Sequence, residues 1–254
     1  MAEVRPNRVK RKLAQNQPVI IHSGTSADAI EGFGPQGIVD GAWIEMEHGP
    51  ITFADLSDMS RACDLWGITS LVRVNHGEEW LIGRTLDRGI QGVLVPHCST
   101  KEYAQQVVRG TYYTPLGLRG IGGSRQGLGV TDYLKKANDE LFVMVLIEEV
   151  RAIENLDEIL TVDNIDCFFV APGDLSQTMG PEYLGQMQHP DVQGIVKNAV
   201  KKIVAAGKTA GTLVNDDNVE EYLELGARFL LMNTTGYVSS GLNAFQKKVA
   251  AKVS

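Results

Sequence analysis

The residues able to do chemistry fall at a few places in the 254-residue chain. Glu45, Glu47 and His48 close the segment WIEMEHGP (43–50), an apolar run that ends in two carboxylates, an imidazole and a Gly-Pro stop. Arg73 lies in LVRV, Glu148 and Glu149 end VLIEE, Asp174 stands in APGDLS, and Asp87 lies on a helical stretch after LVRV. Glu148 and Asp174 are 26 residues apart, the length of one strand-helix unit. In a parallel sheet that spacing brings two carboxylates to neighbouring strand tips. Such a pair, with room for water and substrate oxygens, suits Mg2+ or Mn2+, which favour near-octahedral oxygen ligation. Arg73 adds a cation able to share charge developing on an oxygen, and His48 adds a group that moves protons near neutral pH.

Eight short β-rich apolar runs are available to hold these groups: Pro18–Ser23, Ala42–Met46, Ser70–Val74, Gly92–Pro96, Leu141–Ile147, Cys167–Ala171, Thr209–Val214 and Phe229–Asn233. Between them lie helical patterns, at Phe53–Trp66, Trp80–Arg88, Lys101–Arg109, Val150–Ile159, Asp191–Ala206 and Asn218–Leu225. Gly67, Gly89, Gly207 and Gly226 supply helix stops. Strands that are continuously apolar and alternate with helices predict a parallel sheet covered on both faces. Eight units in this length predict one (β/α)8 barrel domain over 1–254, with a helix within 1–17 and another over 237–254. Catalytic groups on such a barrel stand at the C-terminal ends of the strands, where the residues above cluster. The long stretch between strands four and five holds the Gly-rich LGLRGIGGSRQGLG and is expected to shape the active site.

Composition removes several classes of function. A net charge of -7 and a pI near 5.3 leave no clustered excess of Lys and Arg for nucleic acid. No apolar run approaches the ~20 residues of a membrane span, and MAEVRPNRVKRKLAQNQ is no secretory signal, so the expectation is a soluble cytoplasmic protein. Cys63, Cys98 and Cys167 are odd in number and unpaired in spacing, which predicts reduced buried thiols. Gly32-Phe33-Gly34-Pro35-Gln36-Gly37 fits G-x-G-x-x-G but precedes a strand, contrary to a dinucleotide site. No lysine falls at a strand's C-terminal end, so Schiff-base chemistry is not expected.

WIEMEHGP, LVRV, GVLVPH, LGLRGIG, LIEE and APGDLS, in that order, resemble the metal-dependent 2-oxo acid aldolases of the HpcH/HpaI family over about residues 7–236. The resemblance implies a barrel with a divalent ion (Mg2+, Mn2+ or Co2+) on Glu148 and Asp174, assembled as a homohexamer whose last helix packs on a neighbour. It implies that Arg73 contacts the keto oxygen of the substrate and that His48 is the acid/base, oriented by Asp87. The backbone amides around Gly173 and Asp174 would hold the substrate carboxylate, with Glu45 and Glu47 in support. The activity so implied is reversible cleavage of a 4-hydroxy-2-oxo acid to pyruvate, or a related 2-oxo acid, and an aldehyde, through a metal-stabilised enolate. Two rivals share the scaffold: a CoA-ester lyase of the citrate-lyase-β kind, and a non-catalytic 2-oxo acid binding protein. A CoA-ester lyase wants a basic face, for which the chain offers Arg119 and Arg125. The binding protein gains from Leu146, where members of the family often carry Gln, while Glu45 stands where they often carry Asp.

Overall fold

The computed structural model describes residues 2–253, so Met1, Ser254 and the side chain of Val253 in the expected C-terminal helix lie outside the described residues. The chain runs α1 (Arg8–Ala14), β1 (Val19–Gly24), α2 (Ala27–Phe33), β2 (Gly41–Glu45), α3 (Phe53–Trp66), β3 (Thr69–Arg73), α4 (Glu79–Asp87) and β4 (Gly92–Val95). It continues through α5 (Lys101–Thr111), α6 (Tyr133–Lys136), β5 (Phe142–Ile147), α7 (Val150–Glu154), α8 (Leu156–Ile159), β6 (Cys167–Val170) and α9 (Pro172–Thr178). The last elements are α10 (Pro190–Ala205), β7 (Ala210–Val214), α11 (Val219–Glu224), β8 (Phe229–Met232) and α12 (Thr234–Val253). The eight strands pair in parallel, each with the next, and β8 closes on β1.

The strands read as continuously apolar because both of their faces are buried. Outward residues such as Ile44, Val72, Val93, Val145 and Val170 pack beneath the helices. Inward residues, including Trp43, Leu71, Met144, Leu146, Phe169 and Phe229, fill the barrel itself. Aromatic rings interlock there, with centroids 5.3 Å apart for Trp43 and Phe169 and 6.0 Å for Phe169 and Phe229. α3 shows how local signals set an element: Thr52 and Asp55 form a reciprocal capping box, and Gly67 ends the helix at φ 63°. Between those ends Leu56, Met59 and Cys63 face the core. All three cysteines are free and buried.

The N-terminal end of the barrel is plugged. α1 puts Val9 and Leu13 into the inner core, and Asn7 donates to the carbonyls of Gln91 and Glu140 at 3.2 and 3.0 Å. The long stretch between β4 and β5 also lies at this end, which corrects the expectation that it shapes the mouth of its own barrel. It follows α5 and precedes β5, so it is a helix-to-strand connection, and such connections return to the N-terminal side of a parallel barrel. Its contacts agree: Gln126 donates to the Gly89 carbonyl at 2.7 Å, Arg125 pairs with Asp64 at the end of α3, and Ala2 bridges Val130. The Gly32–Gly37 motif forms the end of α2 and a 3-10 turn before β2.

α12 does not cover the barrel. Val238, Leu242, Phe245 and Val249 are between 47 and 67% exposed. Beside its start, the outer faces of β1 and β8 border a cavity of about 600 Å3 lined by Ile20, Ile38, Val214, Val219, Leu230 and Met232. Among the described residues no helix is long and apolar enough to cross a membrane.

Candidate active site

Period-two alternation decides which tip residues enter the barrel. In β2 it sends Trp43 and Glu45 inward and Ile44 outward, in β3 it sends Arg73 inward, and in β5 it places Glu148 one step above Leu146. The C-terminal mouth holds a cavity of about 290 Å3, lined by Ser23, Glu45, Arg73, Gly173 and Asp174 and floored by Trp43, Leu146 and Phe169. No lysine lines it.

Glu45 and Arg73 are locked together. Arg73 Nε donates to Glu45 Oε2 at 2.6 Å and its Nη1 lies 2.9 Å from Glu47 Oε2, while the guanidinium stands 5.7 Å from the Trp43 ring centroid. The same Glu45 carboxylate accepts from Trp43 Nε1 at 3.1 Å and from the backbone N–H groups of Glu47 and His48 at 2.7 and 3.1 Å. Glu45 therefore ties the turn after β2 to Arg73, a supporting role. His48 emerges on that turn with its side chain 66% exposed, and its Nε2 lies 3.8 Å from Glu47 Oε2. Burial raises the pKa of Glu47, against the opposing charges of Arg73, His48 and His97.

Glu148 is fully buried. Its Oε1 accepts the backbone N–H of His97 at 2.7 Å, and among the described residues its Oε2 has no hydrogen-bond partner. Burial lifts its pKa to about 7; the His97 N–H opposes this, while the charge of Asp174 adds to it. A buried carboxylate oxygen without a donor, with a second carboxylate beside it, is the donor set that a hard cation satisfies, so these residues fit a divalent ion. Among the described residues no three of His, Cys, Asp and Glu could hold an ion by themselves. Two protein carboxylates would thus leave positions for water and substrate.

His97, which the reading of strand tips passed over, joins this cluster. It follows β4 with φ 54°; its Nδ1 lies 2.9 Å from Glu149 Oε1 and its Nε2 3.4 Å from Glu47 Oε1. Ser99 Oγ also bonds Glu149. Burial alone would lower the pKa of His97, but the carboxylates of Glu148, Glu149 and Glu47 outweigh it and hold it above 6.5. The tip of β4 is a strand end like the others, so the rule that found Arg73 reaches His97 as well.

Asp87 is the expected site residue that the fold does not bring to the mouth of its own barrel. It is the last residue of α4, a helix that runs back toward the N-terminal end, and it accepts from Arg119 Nη2 at 2.7 Å. Arg119 and Arg125, the cations a CoA-ester lyase would use, sit at that same far end in ion pairs with Asp87 and Asp64.

A family model described as HpcH/HpaI aldolase/citrate lyase matches residues 19–239, which includes every strand and every site residue named above. The chain belongs to this family. It is 38% identical to a hydroxypyruvate/pyruvate aldolase of Roseobacter denitrificans over 216 residues, 82% of each chain. It is 36% identical to a 4-hydroxy-2-oxo-heptane-1,7-dioate aldolase of Shigella sonnei, covering 88% of this chain and 87% of the relative. A crystal structure of an HpcH/HpaI aldolase/citrate lyase family protein from Burkholderia cenocepacia superposes with a TM-score of 0.86 at 29% identity, covering 98% of this chain and 100% of that one.

Proposed function

We propose that this HpcH/HpaI family member is a divalent-metal-dependent carbon–carbon lyase that reversibly cleaves a 4-hydroxy-2-oxo acid to pyruvate, or a related short 2-oxo acid, and an aldehyde. The observation that carries this reading is the orphaned Oε2 of buried Glu148, set beside Asp174 at adjoining strand tips and facing Arg73 across the mouth. Relatives named as aldolases for 2-oxo acids support the same class of substrate.

Glu148 and Asp174 would hold the ion, which when bound supplies a Lewis acid for the carboxylate and keto oxygens of a 2-oxo acid. Arg73, fixed by Glu45 and Glu47, presents its guanidinium to the keto oxygen and shares the negative charge that cleavage leaves there. The pre-set ion pairs mean that little reorganisation is needed at that moment. The backbone amides of Gly173 and Asp174 receive the substrate carboxylate. His48, exposed at the rim where an aldehyde must leave, takes the proton from the 4-hydroxyl as the C3–C4 bond breaks, and C3 takes a proton from water to complete pyruvate; synthesis runs these transfers in reverse. Leu146 contributes only apolar floor, so orientation of the bound acid falls to Arg73 and the two amides.

Asp87 can act on His48 only between subunits, because one chain puts the two at opposite ends of the barrel. On this reading a second copy's N-terminal end would stand over the mouth. It also accords with an exposed α12 and an apolar groove on β1 and β8 awaiting a helix, an exchange by which copies assemble, with a hexamer as the expected form. The compartment we assign is the cytoplasm.

The test is release of pyruvate from a panel of 4-hydroxy-2-oxo acids. A chelator should abolish it, and Mg2+, Mn2+ or Co2+ should restore it. Borohydride added with pyruvate should leave activity intact and no adduct on the chain. Full activity in chelator, or a reduced pyruvyl adduct on any lysine, would overturn the assignment.

A further inference from the structure

We infer that His97 is a positioning residue for the cation site: its backbone N–H fixes one oxygen of Glu148 while its imidazole, strung between Glu149 and Glu47, holds the strand-four tip where that N–H must stand. The inference rests on Glu148 as a ligand and goes beyond it by naming what aims that ligand.

Three observations carry it. The first is the backbone: His97 adopts φ 54°, the left-handed region that non-glycine residues rarely enter, and in that conformation its N–H meets Glu148 Oε1 at 2.7 Å. With Oε1 engaged and the side chain wholly buried, the carboxylate cannot turn freely, and Oε2 is the oxygen left unpaired. The second is the imidazole, which reaches Glu149 Oε1 at 2.9 Å and Glu47 Oε1 at 3.4 Å from opposite nitrogens. Those two carboxylates belong to different strand tips, after β5 and after β2, so the ring links the two. The third is that both anchors are themselves held: Glu149 by Ser99, and Glu47 by Arg73 at 2.9 Å. A strained backbone conformation persists where its surroundings over-determine it, and here two tethered carboxylates do so.

The arrangement ties two functions to one residue. It locks the direction of Glu148, and it joins the cation site to the Glu47–Arg73 pair that would meet the substrate. Groups that orient a ligand in this way typically matter by ~10- to 100-fold in metal affinity.

His97→Asn separates the two parts, because asparagine tolerates the left-handed conformation but cannot span from Glu149 to Glu47. Glu149→Ala removes one anchor without touching His97 or Glu148. Mn2+ affinity is read from the free-ion electron paramagnetic resonance signal, and thermal midpoints are taken without metal. The expected result is a loss of Mn2+ affinity of ~10-fold or more for His97→Asn and a smaller loss for Glu149→Ala, with an altered bound-Mn2+ spectrum and metal-free midpoints within a few degrees of the parent. Affinity within twofold of the parent in both variants overturns the role of His97. Absence of Mn2+ binding in the parent overturns the cation site itself and this inference with it.

Discussion

Glu148 shows how much one side chain can carry when its burial is not compensated. With a folded-state pKa of about 7 against the ordinary 4.5, it binds a proton in the folded chain that the unfolded chain has released. In the metal-free protein this group therefore costs nothing below pH ~4.5, costs more as pH rises, and costs its full amount above ~7, on the order of 3 kcal/mol. Glu148→Gln keeps the shape and removes the charge. The variant should be more stable than the metal-free parent at pH 8 by that order and no more stable near pH 4.5, as urea midpoints would report. A parent at least as stable at pH 8 would mean that Glu148 is not strained by its burial. Saturating Mn2+ should reverse the order at pH 8 by stabilising the parent. The residue types and their strand-end positions were readable in the sequence, but this burial was not. Nor was the bridge through His97, because it joins residues from three strand tips whose distances only the closed barrel sets.

The turn after β2 is the element that delivers His48, and its Glu47 and His48 N–H groups are tied to the Glu45 carboxylate. A Cβ on Gly49 would lie 2.5 Å from the Glu45 carbonyl oxygen, a distance no side chain tolerates. Gly49→Ala must therefore move the turn, and with it the imidazole. Misplacement of a catalytic group by about 1 Å can cost ~10²-fold, so we expect a fall of that order in kcat with Mn2+ affinity nearly unchanged. Unaltered turnover would remove the turn from the mechanism. Elements of this kind were legible where local chemistry is strong. Phe53–Trp66 is bounded by a cap and a glycine and was located to the residue, and the eight apolar runs lie within one residue of the observed strands. α2 and α9 were missed; α2 runs into the glycines of Gly32–Gly37 and α9 opens on Pro-Gly-Asp, residue types that mark turns. The misplaced stretch between β4 and β5 was an error of topology, since a segment between a helix and the next strand belongs at the plugged end.

The molecule as a whole has an uncovered groove over β1 and β8, an exposed last helix, and a proposed partner of His48 at its far end. In the proposed assembly all three would be met by other copies of the chain. Truncation after Thr235 removes the exposed apolar face of α12 and should lower the mass in solution, whereas an oligomer of unchanged size would exclude exchange of that helix. The partnership of Asp87 with His48 is tested more sharply by mixing lesions. His48→Ala should lower turnover by ~10² or more through loss of the acid/base. Asp87→Asn keeps an acceptor for Arg119, whose guanidinium is buried and would be left unpaired by alanine, while removing the charge that would orient the imidazole. If Asp87 serves the neighbouring subunit, a site that takes His48 from an Asp87→Asn chain and Asp87 from a His48→Ala chain is intact. Random co-assembly of equal amounts makes ~1 site in 4 of that kind, so mixed oligomers should regain about a quarter of parental turnover. If the pair acted within one chain, every site would keep one lesion and mixing would restore nothing. Activity that stays at the level of the separate variants, in oligomers shown by mass spectrometry to be mixed, would end the proposal that the active site is shared.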